Sequence, residues 1–309
     1  MARAAADKPI ERMYRTVVSD NRRWEGFVHR PGDVFVCTPP KCGTTWMQAI
    51  VASIMSPSAE VMGTLMKDAP WIDARYEAVD DVLDRLDAQA HRRQIKTHTP
   101  ADGIPWYPDA SYIVVSRDGR DAFMSFFNHM RNSQQDLMMQ LVVSAAEDGI
   151  ELGDAPPPLD DIHSFFAWWL DDEPMWFDHV ASFWAHKEEP NVAFVHYDDL
   201  SADLEGQMRK VADFLGEQVP EDLWPSIVQQ CTFESMRQAS LSITELDRHF
   251  VGGGSTFFHK GTNGRWRGVL TTDELAAFDD RCRKRLQPGA IEWTNRWGDS
   301  TRAVAEHPG

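Results

Sequence analysis

No apolar run in the sequence approaches the roughly 18 residues that a membrane-spanning helix requires, so stable insertion into a bilayer is not expected. The N-terminus, MARAAADKPIERMYR, has no apolar stretch behind its charges, which removes a secretory signal from the reading. Cysteine is scarce. Cys37, Cys42, Cys231 and Cys282 are scattered and show no Cys-x-x-Cys spacing, which argues against a structural zinc site and against a disulfide framework. A reducing, cytoplasmic compartment is the expectation. Positive charge is also short: Lys and Arg total 31 against 48 Asp and Glu, for a net charge of -17 and a pI near 5.0. A chain that binds nucleic acid over its whole surface is usually basic, so that class is excluded. An acidic chain binds an anionic ligand only through local cations and backbone donors, and these must cluster somewhere.

What the sequence does contain is core material. Hydrophobic residues make up 42% of 309 positions and mean hydropathy is -0.44, values of a globular protein. Residues 1–30 read as a polar lead-in with a short amphipathic helix. Asp33–Thr38, Gln94–His98, Ser111–Ser116 and Asn191–His196 read as short buried strands, each β-rich and bounded by turn residues. Helical periodicity follows from Thr44 to about Met55, from about Arg120 to Met130, up to Glu147, across Asp161–Lys187, over Leu200–Leu215 and over Thr272–Leu286, with an acidic helix near Val79–Ala88. Strands alternating with helices predict an α/β fold with a central parallel sheet covered by helices on both faces. No linker or repeat divides the chain, so 1–309 is read as one domain. The glycine-rich stretch 240–268 lacks periodicity and reads as a long functional loop, with Gly252-Gly253-Gly254 as its hinge.

Four motifs carry chemistry. Pro39-Pro40-Lys41-Cys42-Gly43-Thr44-Thr45-Trp46 joins a buried strand to a helix. Such a turn offers free backbone N–H groups to a phosphate, and Gly43 admits a close anion. The spacing is not that of a Walker A loop; taken alone, the segment could be a capped helix with an incidental lysine. A second junction, Val114 to Asp121, places Arg117 at a strand end and Ser125 on the next helix, suited to a separate phosphate. Alone, Arg117 would pair with Asp118 or Asp121. A third cluster, Phe257 to Arg267, gathers His259, Lys260, Arg265 and Arg267 among glycines. The fourth, Lys96-Thr97-His98, ends a strand where ligands of open α/β sheets gather, and a histidine there suits proton transfer.

Together these motifs resemble the cytosolic-type PAPS-dependent sulfotransferases, with a leaning toward bacterial glycolipid-type members in the IKTHTPADG segment. The resemblance runs in order from about residue 30 to residue 280. It implies transfer of a sulfuryl group from PAPS to a hydroxyl of a small, apolar acceptor, a phenol, an alcohol or a glycolipid, leaving PAP. It implies His98 as base, Lys41 beside the bridging oxygen and Lys96 at the sulfonate. Lys41, Cys42, Gly43, Thr44 and Thr45 would hold the 5′-phosphate. Arg117, Ser125, His259, Lys260 and Gly261 would hold the 3′-phosphate, while Trp46, Tyr197 and Phe233 would line the adenine. No metal is implied.

Cys42 stands where serine is usual in that family, and a thiol at a helix N-terminus invites a lowered pKa and oxidation. His259 replaces an arginine, Cys231 a threonine and Arg265 an aspartate. The family's dimerisation motif falls on Arg267–Ala276 and is degenerate, which weakens the expectation of a homodimer. Two rival readings fit the sequence less well. A small-molecule kinase needs a Walker A lysine and a metal-binding carboxylate, neither found in context. A non-catalytic nucleotide binder would have no need of both Lys41 and His98. The aromatics between Asp161 and Trp184, with Phe123, Phe126 and Phe127, stand at a helical spacing that belongs more often to core than to an acceptor pocket, and any that face the pocket imply an apolar acceptor.

Overall fold

The computed structural model describes residues 6–171 and 175–296. Its centre is a four-stranded, all-parallel sheet of β1 (Val34–Cys37), β2 (Gln94–Thr97), β3 (Ser111–Ser116) and β4 (Val192–His196), in the order β2-β1-β3-β4. Val34 of β1 pairs with Gln94 on one side and Ser111 on the other. Every residue of β1 is buried, as expected for a strand covered on both faces. Its side chains alternate between two cores. Val34 and Val36 join Ile50, Ile54, Met208 and Trp224 on one face; Phe35 and Cys37 join Ile95, Tyr112, Trp24 and Trp106 on the other.

A third apolar cluster lies beside the sheet. Phe123, Phe165, Phe166, Trp169, Trp176, Phe177 and Phe278 pack together there, so the aromatic run is core, as read. Arg120 is fixed in this region by Asp118 at 2.5 Å and stacks over Trp266 at 4.3 Å.

Several elements differ from the sequence expectation. The lead-in forms a short 3-10 helix at Asn21–Gly26 and isolated bridges, Lys8 to Trp106 and Ser19 to Ala74, in place of an amphipathic helix. Its first five residues lie outside the described ones, as do 172–174 within the Asp161–Lys187 stretch. That stretch shows two helices, Ile162–Asp171 and Met175–Trp184. The Leu200–Leu215 periodicity belongs to two helices, Tyr197–Ala202 and Leu204–Leu215, separated where Asp203 caps Gly206. Stretch 240–268 is not a structureless loop: Thr244–His249 and Gly254–Phe257 are helical. After Thr272–Arg285 a further helix, Pro288–Thr294, is present. Among the described residues no helix is long and apolar enough to cross a membrane.

Candidate active site

Each strand delivers a polar or aromatic residue just past its carboxyl end: Thr38 after β1, His98 after β2, Arg117 after β3 and Tyr197 after β4. Because β2 and β3 flank β1, the crevice at this edge opens where the chain order reverses, the usual ligand position of an open α/β sheet.

The turn after β1 is shaped by two left-handed residues, Lys41 with φ 67 and Gly43 with φ 98. Such a conformation gathers backbone N–H groups into an anion-binding concavity. A Cβ on Gly43 would lie 2.9 Å from the Tyr197 ring, so a side chain is excluded on two counts. Thr44 opens the Thr44–Met55 helix, and its hydroxyl meets that of Thr38 at 2.5 Å. Thr45 follows in the same first turn. Cys42 behaves differently from the expectation. It is fully buried within the aromatic cluster, and burial pushes its thiol up to about 12. A thiol buried away from water favours its protonated form, the opposite of the activation expected at a helix N-terminus.

His98 is 8% exposed, and its Nδ1 lies 2.7 Å from the Thr38 carbonyl oxygen. That contact places the proton on Nδ1 and leaves the Nε2 lone pair available. Burial, then the Lys96 charge, holds its pKa well below the ordinary imidazole value, so the ring is neutral. Lys96 lies over the Trp71 ring at 4.4 Å, and burial lowers its pKa to about 8. Lys41 Nζ approaches Nδ1 of His129 at 3.1 Å. Burial, with Lys96 and Arg117 nearby, lowers the Lys41 pKa to about 7.

Arg117 is 4% exposed and stacks over Tyr197 at 4.3 Å. Its Nε donates to Asn263 Oδ1 at 2.7 Å, and its Nη2 to the Thr262 carbonyl at 3.0 Å. The ion pairs considered for it do not form: Asp118 is held by Arg120, and Asp121 accepts the backbone N–H groups of Gly264 and Arg265. Ser125 is half-buried on the helix that follows, Gly119–Asn132. Trp46 donates its indole N–H to the Cys231 carbonyl at 2.8 Å and meets Tyr197 edge-on at 5.2 Å. Tyr197 donates its hydroxyl to the Gly261 carbonyl at 3.4 Å, and a Cβ on Gly261 would lie 2.6 Å from Phe233. Trp46, Tyr197, Phe233 and Gly261 are therefore one connected wall. His259 and Lys260 stand exposed at the rim, where His259 accepts from Arg265 at 3.0 Å. Burial and Arg265 lower the His259 pKa, so it brings no charge.

The sulfotransferase-domain family model matches residues 31–289, which spans all four strands and the turns after them. The chain belongs to the sulfotransferase family. A glycolipid sulfotransferase of Mycobacterium bovis is 30% identical over 306 residues, covering 92% of this chain and 94% of that protein. Human sulfotransferase 1C2 is 25% identical, covering 87% and 88%. Two solved structures share the fold. Mouse sulfotransferase SULT7A1, complexed with PAP, matches with a TM-score of 0.66 at 20% identity over 93% of this chain and 92% of that one. Retinol dehydratase, in complex with retinol and PAP, matches with a TM-score of 0.67 at 19% identity over 90% and 88%.

This sulfotransferase also has site residues that sequence reading missed. Thr38 orients His98. Asp73 is buried and accepts from Thr97 at 2.5 Å and Thr99 at 2.6 Å, bracing the strand end that carries Lys96 and His98. Trp71, Tyr76, His129, His249, Phe250 and Phe257 ring the crevice around Lys41 and Lys96. His129 did leave a signal, lying four residues after Ser125 and so on the same helical face. The others come from irregular segments or from helices of six residues or fewer, too short to show a periodicity. Among the described residues, no group of three or more His, Cys, Asp or Glu is placed to hold a metal ion.

Proposed function

We propose that the protein transfers the sulfuryl group of PAPS to a hydroxyl of a small, largely apolar acceptor, a phenol, an alcohol or a glycolipid, releasing PAP and a sulfate ester. One observation carries this reading. In a chain of net charge -17, Lys41, Lys96 and Arg117 are gathered at one sheet edge, and among the described residues no carboxylate lies within ion-pair distance of any of them. Cations set close together without counter-ions are arranged for an anionic ligand. Lys41 and Lys96 stand together at the turn after β1 and the adjacent end of β2, and Arg117 stands at the end of β3, with the wall of Trp46, Tyr197 and Phe233 beside them. A nucleotide with phosphates at two separate positions suits two separate cation positions. The PAP complexes of proteins with this fold, and the glycolipid sulfotransferase name of a 30% identical relative, agree with it.

In this mechanism the acceptor hydroxyl gives its proton to His98 Nε2 as its oxygen attacks sulfur in line with the bridging oxygen. Negative charge grows on the departing 5′-phosphate. Lys41, the Gly43–Thr45 backbone and the hydroxyls of Thr44 and Thr45 hold that charge, a contribution of roughly 3 kcal/mol for one well-placed donor. Lys96 faces the sulfonate. Arg117 and Ser125 take the 3′-phosphate, with Asn263 and Thr262 giving up Arg117 as it arrives. His259 and Lys260 contribute only at the rim. Replacement of His98 by alanine tests the assignment. Transfer from labelled PAPS is expected to fall on the order of 10²- to 10⁴-fold, the usual worth of a general base, while PAP affinity stays within roughly threefold. Equal loss of transfer and of PAP binding would remove His98 from the role of base.

A further inference from the structure

A chain of ring contacts runs from His98 round to Lys41. His98 meets Trp71 edge-on at 4.6 Å, and Trp71 is followed by Tyr76 at 5.9 Å. Tyr76 faces His249 at 4.8 Å, and His249 meets Phe250 edge-on at 6.2 Å. Phe250 meets His129 at 4.8 Å, and His129 returns to Lys41 at 3.1 Å. These residues come from five separate segments of the chain. The helix Gly119–Asn132 supplies His129, and the segment after Thr244 supplies His249 and Phe250. Backbone bonds hold that segment down, from Val251 to the Asn132 carbonyl at 2.8 Å and from Gln134 to the His249 carbonyl at 2.9 Å.

Two imidazoles in this chain of contacts have opposite hydrogen-bonding character. His98 commits Nδ1–H to the Thr38 carbonyl, so its free Nε2 accepts. His129 commits Nδ1 as acceptor to the Lys41 ammonium, so in the neutral ring Nε2 carries the proton and donates. Burial, then the charges of Lys41 and Lys96 and the neighbouring His98 and His249, holds His129 well below the ordinary imidazole pKa, which keeps it neutral. Among the described residues its Nε2 has no hydrogen-bond partner, and it is not sealed from solvent. A monohydric acceptor satisfies His98 alone and leaves the His129 N–H desolvated without a partner. A diol gives a hydrogen to His98 and offers an oxygen to His129.

We propose that His129 is a specificity residue that reads a second hydroxyl beside the one that reacts, so that the preferred acceptor presents a polyol ring of the sugar type with an apolar tail or face. The proposal rests on the sulfotransferase reading above and narrows its acceptor class. The aromatic faces of Trp71, Tyr76 and Phe250 suit the C–H face of such a ring. A site built to hydrogen-bond a substrate hydroxyl discriminates against an analogue that lacks it, because its own polar group is left unpaired.

The test compares octyl glucoside with 1-octanol as acceptors, using labelled PAPS, in the wild type and in His129→Phe and His129→Gln. Phenylalanine keeps the ring beside Phe250 and removes both nitrogens; glutamine returns an amide N–H near the position of Nε2. The wild type is expected to favour the glucoside in kcat/KM by on the order of 10- to 100-fold, the worth of one buried hydrogen bond. His129→Phe is expected to lower the glucoside-to-octanol ratio by roughly tenfold or more, chiefly through a raised KM for the glucoside, and His129→Gln to recover part of it. An octanol rate equal to the glucoside rate in the wild type overturns the proposal. So does a His129→Phe protein that loses both acceptors in the same proportion. Calorimetry with PAP on the same samples separates the two levels of failure. PAP bound without a glucoside preference rejects the role of His129 alone, whereas absence of PAP binding by the wild type rejects the sulfotransferase reading beneath it.

Discussion

Burial, Lys96 and Arg117 all press Lys41 to give up its proton, and its pKa falls to about 7. Lys96 is pressed mainly by burial and falls to about 8, with Asp73 opposing the shift. A phosphate placed beside them reverses this, since an adjacent anion favours the charged form. The sign follows by linkage: the bound state holds protons that the free protein has lost, so affinity is full below about pH 7 and falls as pH rises through 7 to 9. PAP binding at pH 8 is therefore expected to take up roughly one proton. Titration calorimetry in buffers of different ionisation enthalpy reads that uptake directly, and Lys41→Met is expected to reduce it. Heats that are identical in every buffer would contradict the shared role of the two lysines. At this scale the sequence was informative about charge and chemistry. It marked Lys41, Lys96, His98 and Arg117 because their types and spacing are unusual in an acidic chain. It could not mark Thr38, whose significance lies in the hydrogen bond that its carbonyl accepts from His98, and it marked His129 only through its place four residues after Ser125.

Elements were legible where one physical rule dominated. The four strands are short apolar runs between turn residues, and their observed positions lie within or close to the expected spans. Beyond Leu215 the pattern weakened, and the short helices Trp224–Gln230 and Phe233–Ser240 went unseen. The same held for 244–257, where three consecutive glycines argued for a hinge. Their reason is close packing. Gly252 and Gly253 have φ of 83 and 55, and a Cβ on Gly254 would collide with the Ser240 carbonyl. The glycines thus let the chain turn closely between the two short helices, with Val251 bonded to Asn132 and His249 to Gln134 just before them. The turn at 259–265 is held differently, by Arg117, Asp121 and Tyr197, and of these Arg117 is the group assigned to the 3′-phosphate, so binding there would release its bonds to Thr262 and Asn263. Hydrogen exchange with and without PAP should therefore show added protection concentrated in 259–265, with little change across 244–258. Equal protection throughout, or a rise confined to 244–258, would mean that nucleotide binding does not reorganise this turn.

For the whole molecule, the fold and the donor site share one cause. A parallel sheet buried on both faces presents only its strand ends to ligands, and this chain of net charge -17 gathers Lys41, Lys96 and Arg117 there. Architecture was readable from alternation of strands and helices, because that alternation leaves few topologies. The proposed acceptor end was not readable, because the rings gathered there come from segments far apart in the sequence: Trp71 and Tyr76 before β2, His129 after β3, and Phe250 after β4. The trust placed in the aromatic-rich Asp161–Trp184 region as core was sound for Phe165, Phe166, Trp169, Trp176 and Phe177, which pack against Phe278 and the Gly119–Asn132 helix. The central claim is that the two cation positions form a donor site for a nucleotide with a 3′-phosphate. Its most direct test is calorimetric titration of the purified protein with PAP, with ATP and Mg²⁺ as comparison. Tight PAP binding with little response to ATP is the predicted result. Strong ATP binding with none for PAP would contradict it.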